Sequence, residues 1–429
     1  MPALDPRLPL AQDLELNGKV VLVRVDHNVV EKGAIKDAFR IDSTYGLIHY
    51  IASKGGFPIL MTHVGRTRDS QTGHIKTGTG TAVDAIIDYL NRKLAAGFLA
   101  PNFPIHPDFG IEKLDYQVVK PLLARLKKRE IGGIYLPNTR WFAGEESKDD
   151  RTKELAEDLA KLADYYINDA FGSWQPHAST YDVAKKLPSA AGFLLQKELS
   201  HLDLVLSPER PFLAVVAGSK YDTKIGPLNK IYEQVDHLIL GGVIYNAYLA
   251  AKYGIKVAGV AESDVELAKG LVERDKKLGK IIEPEFVVES EILDSFNPAK
   301  VKTINIADFR PGQSYHYFLD VGQESFNRPK LSEIIQSAKT IFVNAVLGLT
   351  PHFSAGSARL YHEIGANKKG RKLFGGGDTL TELKNLAPGV YLDALDDPAY
   401  YFFTGGGAVL TAIENGAYGL KPVAALLKS

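Results

Sequence analysis

The stretch Val20-Val-Leu-Val-Arg-Val-Asp26-His27-Asn28 contains the pattern on which this chain is built. A short, mainly apolar run ends in a cluster of polar side chains, and helical periodicity follows. Comparable apolar runs occupy residues 19–25, 58–63, 133–136, 164–168, 212–217, 236–240, 340–344, 371–374 and 400–403. Strands that are apolar on both faces and alternate with helices indicate a mostly parallel sheet covered by helices on both sides. We therefore predict an α/β fold.

The length of 429 residues favours two domains, because one hydrophobic core rarely serves so long a chain. The alternation of strands and helices restarts near Pro211, after a helix-like segment at 194–206. We therefore predict that residues 194–206 form an interdomain helix between an N-terminal and a C-terminal domain.

The composition narrows the classes of partner and chemistry. Basic and acidic residues number 51 each, so no overall charge favours nucleic acid or a membrane surface. The absence of cysteine excludes disulfides, thiolate catalysis and Cys-ligated metals. The N-terminus lacks the features of a signal peptide, and no apolar run approaches the roughly 20 residues that span a bilayer. We expect a cytoplasmic protein that binds neither nucleic acid nor membrane.

Polar side chains follow the first three apolar runs. In open parallel sheets, ligands bind beyond the carboxyl ends of the strands. The residues found there are Asp26, Asn28, Arg40, His63, Arg66 and Arg140. A single arginine is usually a solvated surface charge, but three at equivalent strand ends can fork onto carboxylate or phosphate groups. This half of the chain therefore predicts a site for a small molecule with several negative charges.

Two glycine triplets follow apolar runs in the second half, Phe374-Gly375-Gly376-Gly377-Asp378-Thr379 and Thr404-Gly405-Gly406-Gly407-Ala408. Glycine lets the backbone approach a phosphate, and the N–H groups that open a helix bind its oxygens. A single triplet is equally well explained as a tight turn, whereas two in one domain favour phosphate binding. Asp378 is placed to reach a nucleotide-bound Mg²⁺.

Lys220 and Lys224 follow a further apolar run, and their spacing of four places them on one face of a helical turn. They would present two cations to transferring phosphates, although a solvated helix face explains them equally well. No G-x-x-x-x-G-K-[ST] motif occurs, which excludes a P-loop protein. The combined pattern predicts an enzyme that moves a phosphoryl group between a nucleotide and a small acidic metabolite.

The order of these blocks resembles the phosphoglycerate kinase family almost from end to end. The opening stretch matches its first signature, which usually has Phe at the position of His27. Further matching blocks lie at 60–66, 138–140, 168–172, 177–179, 187–193, 218–225, 241–242, 320–322, 375–379 and 404–408.

The resemblance implies two Rossmann-like domains, with 3-phosphoglycerate on residues 1–193, Mg-nucleotide on 207–405, and 406–429 returning to the N-terminal domain. The implied reaction is the reversible phosphoryl transfer of glycolysis and gluconeogenesis between ATP and 3-phosphoglycerate, giving 1,3-bisphosphoglycerate and ADP. Substrates on separate domains require hinge bending to meet. We expect a monomer whose partners are these small molecules, with Mg²⁺ entering with the nucleotide.

The resemblance also implies residue roles. The acid would be bound by Asp26, Asn28, Arg40, His63, Arg66 and Arg140. The nucleotide would be bound by Lys220, Lys224, Gly242, Asn344, Gly375, Gly376, Gly377, Asp378 and Thr379, with Asp378 also a Mg²⁺ ligand. The migrating phosphoryl group would be stabilised by Arg40, Lys220 and the backbone N–H groups of Gly376 and Gly406.

Two segments depart from the family pattern. The segment Gly172-Ser173-Trp174-Gln175-Pro176-His177 lacks an arginine that the family carries in the acid site. Trp174 either forms a wall for a bulkier acid or only packs the loop. The segment from Asn344 to Pro351 lacks the family Glu that binds the ribose.

Two other functions therefore stay open at this stage. One is a related acyl-phosphate kinase with a different acid or nucleotide, and the other is a non-catalytic nucleotide-binding paralogue. Retention of Arg40, Lys220, Lys224 and Asp378 argues against the paralogue, because a pure binding protein has no need of them.

Overall fold

The computed structural model describes residues 3–218 and 225–428. The described chain forms two compact units. The first unit extends up to Ser200 and resumes at Ala417, and the second unit is His201–Gly416. A helix at Phe193–Leu206 contains the division. The helix Gly406–Asn415 belongs to the second unit, so the returning segment begins at Ala417, later than the predicted position 406.

The first unit is built on a six-stranded sheet in which every pairing is parallel, with the order β5-β6-β4-β1-β7-β8. Its strands are β1 (Val20–Val25), β2 (Val30–Glu31), β3 (Ala34–Ile35), β4 (Phe57–Met61), β5 (Phe98–Leu99), β6 (Gly133–Tyr135), β7 (Tyr165–Asp169) and β8 (Ser189–Ala191), of which β2 and β3 form a separate hairpin. Its helices before the division are α1 (Phe39–Asp42), α2 (Tyr45–Ser53), α3 (Asp84–Leu94), α4 (Tyr116–Lys127) and α5 (Arg151–Ala160), followed by the dividing helix α6 (Phe193–Leu206).

The second unit contains a five-stranded parallel sheet, β10-β9-β16-β17-β18, and a three-stranded antiparallel sheet, β13-β12-β15. Its strands are β9 (Phe212–Gly218), β10 (His237–Gly241), β11 (Lys256–Val257), β12 (Phe286–Ser290), β13 (Val301–Asn305), β14 (Ser314–Tyr315), β15 (Tyr317–Val321), β16 (Thr340–Asn344), β17 (Arg371–Gly375) and β18 (Tyr400–Phe403). Its helices are α7 (Ile225–Gln234), α8 (Gly242–Tyr253), α9 (Glu262–Leu278), α10 (Pro329–Ser337), α11 (Ala355–Ala366), α12 (Gly377–Leu386), α13 (Pro388–Asp396) and α14 (Gly406–Asn415); a short helix, α15 (Lys421–Ala424), lies in the part of the chain that returns to the first unit.

The predicted α/β architecture with mostly parallel sheets is confirmed, and the nine predicted strands lie within two residues of observed ones. All six residues of β1 are buried, as expected of a central strand covered on both faces. The antiparallel sheet was not predicted. Its strand β13 has no fully buried residue, so its sequence has no continuous apolar run. No helix in the described ranges combines the length and apolar character needed to cross a membrane.

His27 is fully buried directly after β1, at the position where the resembled family usually has Phe. Its Nδ1 lies 2.9 Å from the hydroxyl of Tyr135, and its Nε2 lies 2.9 Å from that of Thr44. The Thr44 hydroxyl donates its only proton to the carbonyl of Ile41, so Nε2 of His27 must carry a proton, and in a neutral ring Nδ1 accepts from Tyr135. Burial lowers the pKa of His27 to about 3. This histidine is therefore a neutral part of the core.

The substitution His27→Phe tests this protonation state. The unfolded chain takes up a proton on His27 below about pH 6.5, whereas the folded chain does so only near pH 3, so acid favours unfolding by up to about 1.4 kcal/mol per pH unit. We expect the free energy of unfolding in urea to fall less steeply in the variant between about pH 6.5 and about pH 5. Identical slopes for the two proteins would contradict a neutral His27.

Candidate functional site

A cavity of about 520 Å³ lies at the carboxyl edge of the first sheet, where the parallel strands end. Four of the predicted acid-binding residues line it: Asn28, His63, Arg66 and Arg140. Residues that were not predicted as ligands also line it, among them Arg24, Arg68, Glu145, Glu146, Trp174 and His177. The sheet therefore gathers side chains from widely separated parts of the sequence around one opening.

Asp26 and Arg40 form an ion pair and are absent from the lining of this cavity. Nη1 of Arg40 lies 3.2 Å from Oδ2 of Asp26, which is almost fully buried, while Arg40 is partly accessible. The other carboxylate oxygen, Oδ1, is buried and has no hydrogen-bond partner among the described residues. Arg40 is close enough to His63 to help lower its pKa. The pair therefore adjoins the cavity, and Asp26 fixes the direction of the Arg40 side chain.

The two arginines that line the cavity from the predicted set differ in their partners. Nε of Arg140 lies 2.9 Å from Oε1 of Glu146, and its Nη1 donates to the carbonyl of Gly65. Arg66 is exposed and makes no ion pair with any residue in the described ranges. Arg66 is thus available to an anionic ligand, whereas Arg140 is already balanced by a carboxylate.

Arg68 is a further arginine in the cavity lining that the sequence reasoning missed. Its Nη2 donates to the carbonyl of Ala143 at 2.8 Å, and its Nη1 donates to that of Gly73 at 3.4 Å. Both partners are neutral, so the positive charge of Arg68 is not cancelled by them. Arg68 follows Arg66 by two residues in the same loop after β4, and this spacing could have predicted it as a site residue.

The segment 173–177 forms one wall of the cavity. Trp174 lines the opening, and the buried Ser173 places its Oγ 3.4 Å from Nδ1 of His63. Nε2 of His177 lies 3.8 Å from Oε1 of Glu146, and burial lowers the pKa of His177. A wall for a bulkier acid at Trp174 stays a prediction.

In the second unit, the two glycine-rich turns meet. Gly376, with a φ of 111°, precedes α12, and Gly406 is the first residue of α14. A Cβ atom on Gly406 would lie 2.7 Å from Cα of Gly376 and 2.8 Å from Nδ2 of Asn344. That amide donates to the carbonyl of Gly375 at 2.6 Å. The N-termini of two helices therefore open side by side, with their unpaired backbone N–H groups at one edge of the sheet.

Of the other residues predicted to bind the nucleotide, most are described by the structure and two are not. Gly242 begins α8 with a φ of 60°, and a Cβ there would lie 2.9 Å from the carbonyl oxygen of Gly218. Asp378 is exposed in the first turn of α12, next to the buried Thr379. Lys220 and Lys224 lie outside the described residues. Among the described residues, no three His, Cys, Asp or Glu side chains form a metal site.

Two buried carboxylates lie behind the segment that lacks the family Glu. Oδ2 of Asp320 accepts from the backbone N–H of Gly356 at 2.9 Å, and burial raises the pKa of Asp320 to about 7. Glu382 accepts from the hydroxyl of Tyr361 at 2.7 Å, and burial raises the pKa of Glu382 to about 7. Both groups hold α11 in place, so their carboxylates are directed into the unit.

Comparison with known proteins places this geometry in a family. The sequence profile described as phosphoglycerate kinase matches residues 11–416. The chain belongs to the phosphoglycerate kinase family. A phosphoglycerate kinase from Cereibacter sphaeroides is 34% identical over 414 residues, which cover 94% of this chain and 96% of the relative. One from Chlamydia trachomatis is 33% identical over 416 residues, covering 95% and 96%.

Solved structures agree with this assignment. The phosphoglycerate kinase of Coxiella burnetii superposes with a TM-score of 0.74 at 25% identity, covering 98% of both chains. That of Pyrococcus horikoshii has a TM-score of 0.73 at 20% identity, covering 98% of this chain and 99% of the other, and supports the fold. The predicted family and kinase class are confirmed.

The contact between the glycine-rich turns can be tested with Gly406→Ala. A methyl group there overlaps backbone atoms of Gly376, so the turns must separate. We expect the melting temperature to fall by several degrees and ATP to bind about tenfold or more weakly, measured by calorimetry. Gly377→Ala is the matched control, since a Cβ there meets no atom within 4 Å; its melting temperature should stay close to that of the parent. Equal melting temperatures for the two variants would show that the turns do not need this approach.

Proposed function

We propose that this chain catalyses reversible, Mg²⁺-dependent phosphoryl transfer between ATP and 3-phosphoglycerate, giving 1,3-bisphosphoglycerate and ADP. Membership of the phosphoglycerate kinase family supports the reaction type. The observation that carries the substrate assignment is the cavity of the first unit, lined by arginines and His63 at the carboxyl edge of the sheet.

The charges of that cavity suit a small acid that also carries a phosphate. Arg66 and Arg68 have no carboxylate partner among the described residues, and each can present hydrogen-bond donors to an anion. Asn28 is held in the wall by accepting from the backbone N–H of Gly65 at 2.8 Å. We assign the binding of the acid to Asn28, His63, Arg66 and Arg140, with Asp26 positioning Arg40.

We assign nucleotide binding to the edge of the second sheet, where α12 and α14 begin. Backbone N–H groups at Gly376, Gly377 and Gly406 suit phosphate oxygens, and Asn344 links the two turns. The family pattern adds Lys220 and Lys224 as phosphate ligands, together with Gly242 and Thr379.

Asp378 is the proposed protein ligand of Mg²⁺. It is exposed beside the glycine-rich turn, and among the described residues it belongs to no group of three or more metal-ligating side chains. That donor set fits an ion that arrives with the nucleotide phosphates and keeps several waters, since Mg²⁺ in such sites takes only one or two carboxylates. When bound, Mg²⁺ neutralises phosphate charge.

The residues of the protein have to position the two substrates and neutralise the charge of the phosphoryl group. A carboxylate oxygen of the acid bonds to the γ-phosphorus, and the bond from that phosphorus to the oxygen bridging to ADP breaks, with its electron pair leaving on ADP. The nucleophile is already ionised, so no proton moves and no general base is needed. We assign stabilisation of the migrating phosphoryl group to Arg40, Lys220 and the backbone N–H groups of Gly376 and Gly406.

A coupled assay of ADP formation from ATP, Mg²⁺ and 3-phosphoglycerate tests the reaction. We expect turnover with a raised KM for the acid, and Arg40→Ala should lower kcat by at least ~10²-fold because one fixed cation is lost from the transition state. Arg151→Ala is the control, since Arg151 pairs with Asp149 on the surface. A fall in affinity with kcat intact would make Arg40 a binding residue only.

The same assay run over small carboxylic acids tests the substrate. Because Trp174 lies in the cavity wall and the family arginine is missing, the competing candidate is a kinase for a bulkier or less charged acid. A different acid that exceeds 3-phosphoglycerate about tenfold in kcat/KM would overturn the substrate and leave the kinase class intact.

The ribose contact yields a separate prediction. A charged acceptor for ribose hydroxyls contributes roughly 1.5–3 kcal/mol, and this chain has Thr350 and Pro351 in the segment where the family has Glu. The carboxylates behind that segment, Asp320 and Glu382, are buried and engaged. We expect 2′-deoxy-ATP to bind nearly as tightly as ATP in calorimetric titrations. A preference of about tenfold or more for ATP would mean that another group binds the ribose.

A further inference from the structure

A chain of hydrogen bonds connects a buried carboxylate to the cavity of the first unit. It begins at Glu145, which is 1% exposed and follows β6 by ten residues. Oε2 of Glu145 accepts from the backbone N–H of Ser179 at 2.9 Å, and Oε1 accepts from the Ser179 hydroxyl at 2.5 Å. A hydroxyl has a single proton, so the remaining role of the Ser179 oxygen is to accept.

Arg24 supplies the donor for that oxygen and continues the chain. It lies in β1, is 1% exposed, and donates from Nε to the Ser179 oxygen at 2.9 Å. Its Nη1 donates to the carbonyl of Val25, and its Nη2 lies 3.1 Å from Nδ1 of His63. A guanidinium has donors only, so Nδ1 of His63 must accept. Each hydrogen bond in the series from Glu145 to His63 therefore has only one possible donor.

The direction of these bonds determines what His63 offers to the cavity. With Nδ1 accepting, a neutral His63 carries its proton on Nε2. In the described part of the chain, no hydrogen bond engages Nε2, and the ring lines the cavity. We propose that Glu145, Ser179 and Arg24 are positioning residues that hold His63 as a neutral Nε2–H donor to an oxygen of the anionic acid. This inference deepens the proposed function and rests on it for the identity of the ligand.

The surroundings of His63 favour the neutral ring. Burial is the largest cause that lowers its pKa well below the usual value. The charged or titratable neighbours that act in the same direction are Arg24, Arg140, Arg40 and His177. His63 then contributes a directed hydrogen bond to recognition of the acid, while the arginines contribute the charge.

The tautomer can be read directly by NMR on the full chain with isotope-labelled histidine and no ligand. We expect the His63 ring to carry its proton on Nε2 and to stay neutral at about pH 6.5, where an ordinary imidazole is half protonated. A ring protonated on Nδ1, or on both nitrogens at neutral pH, would overturn the proposal whether or not the chain turns over 3-phosphoglycerate.

Ser179→Ala tests the chain of residues behind the ring. Removing the hydroxyl leaves Nε of Arg24 without its acceptor and loosens the guanidinium. We expect a mixture of His63 tautomers and a KM for 3-phosphoglycerate raised about 3–10-fold, with kcat changed less than about twofold. Ser189→Ala is the control, because that hydroxyl bonds the carbonyls of Ala184 and Leu187. An unchanged tautomer and KM in Ser179→Ala would sink the positioning role.

Substitutions of His63 itself distinguish the roles of its two ring nitrogens. The amide nitrogen of Gln overlies Nε2, so His63→Gln keeps a donor toward the acid. Asn reaches only the position of Nδ1, so His63→Asn keeps the contact with Arg24 and loses that donor. We expect His63→Asn to raise the KM at least about tenfold and His63→Gln to raise it only a few-fold. A larger increase of the KM in His63→Gln than in His63→Asn would contradict an Nε2–H donor. If the unsubstituted protein shows the expected tautomer but does not turn over 3-phosphoglycerate, only the proposed substrate is rejected.

Discussion

The site of the first unit depends on the parallel pairing of β1 with β4 on one side and β7 on the other. Their register sets Arg24 level with Met61 and with Asn168. The three strands end within a few residues of that level, so the segments that leave them turn into the same space. His63 therefore meets Arg24, and Ser173 meets His63, although the three residues are far apart in the sequence. A shift of one residue would reverse the face of every side chain and separate these groups.

In the second unit, the ends of parallel strands also meet at one edge of the sheet, but they bring backbone groups together instead of side chains. The parallel pairing of β16, β17 and β18 brings the ends of these strands together, and glycine at 376 and 406 lets two helices start almost in contact. A side chain at 406 would separate the turns, and the φ of 111° at 376 disfavours any residue with a Cβ. We propose that the first unit binds its anion with arginines and the second with backbone N–H groups, which are two common ways in which proteins bind phosphate without a dedicated metal site.

The segment 173–177 shows how a family site changes while its frame is retained. The missing arginine removes a charge, and Trp174 occupies part of the wall. Arg68 lines the same cavity with only neutral partners, while Glu146 balances Arg140. Arg66 and Arg68, both in the loop after β4, line the cavity without a carboxylate partner among the described residues. We therefore propose that affinity for a phosphorylated acid depends mainly on Arg66 and Arg68.

The sequence by itself determined the alternation of strands and helices, the mostly parallel sheets and the strand ends that carry Asn28, His63, Arg66 and Arg140, because buried strands and glycine-rich turns leave local patterns. It could not supply the antiparallel sheet, whose edge strand β13 has no fully buried residue and so no continuous apolar run, or the roles of Glu145 and Glu146. Those roles depend on contacts between residues distant in the chain. Only the tertiary structure decided which arginines are neutralised and which nitrogen of His63 carries the proton, since both follow from hydrogen-bond directions that no local pattern encodes.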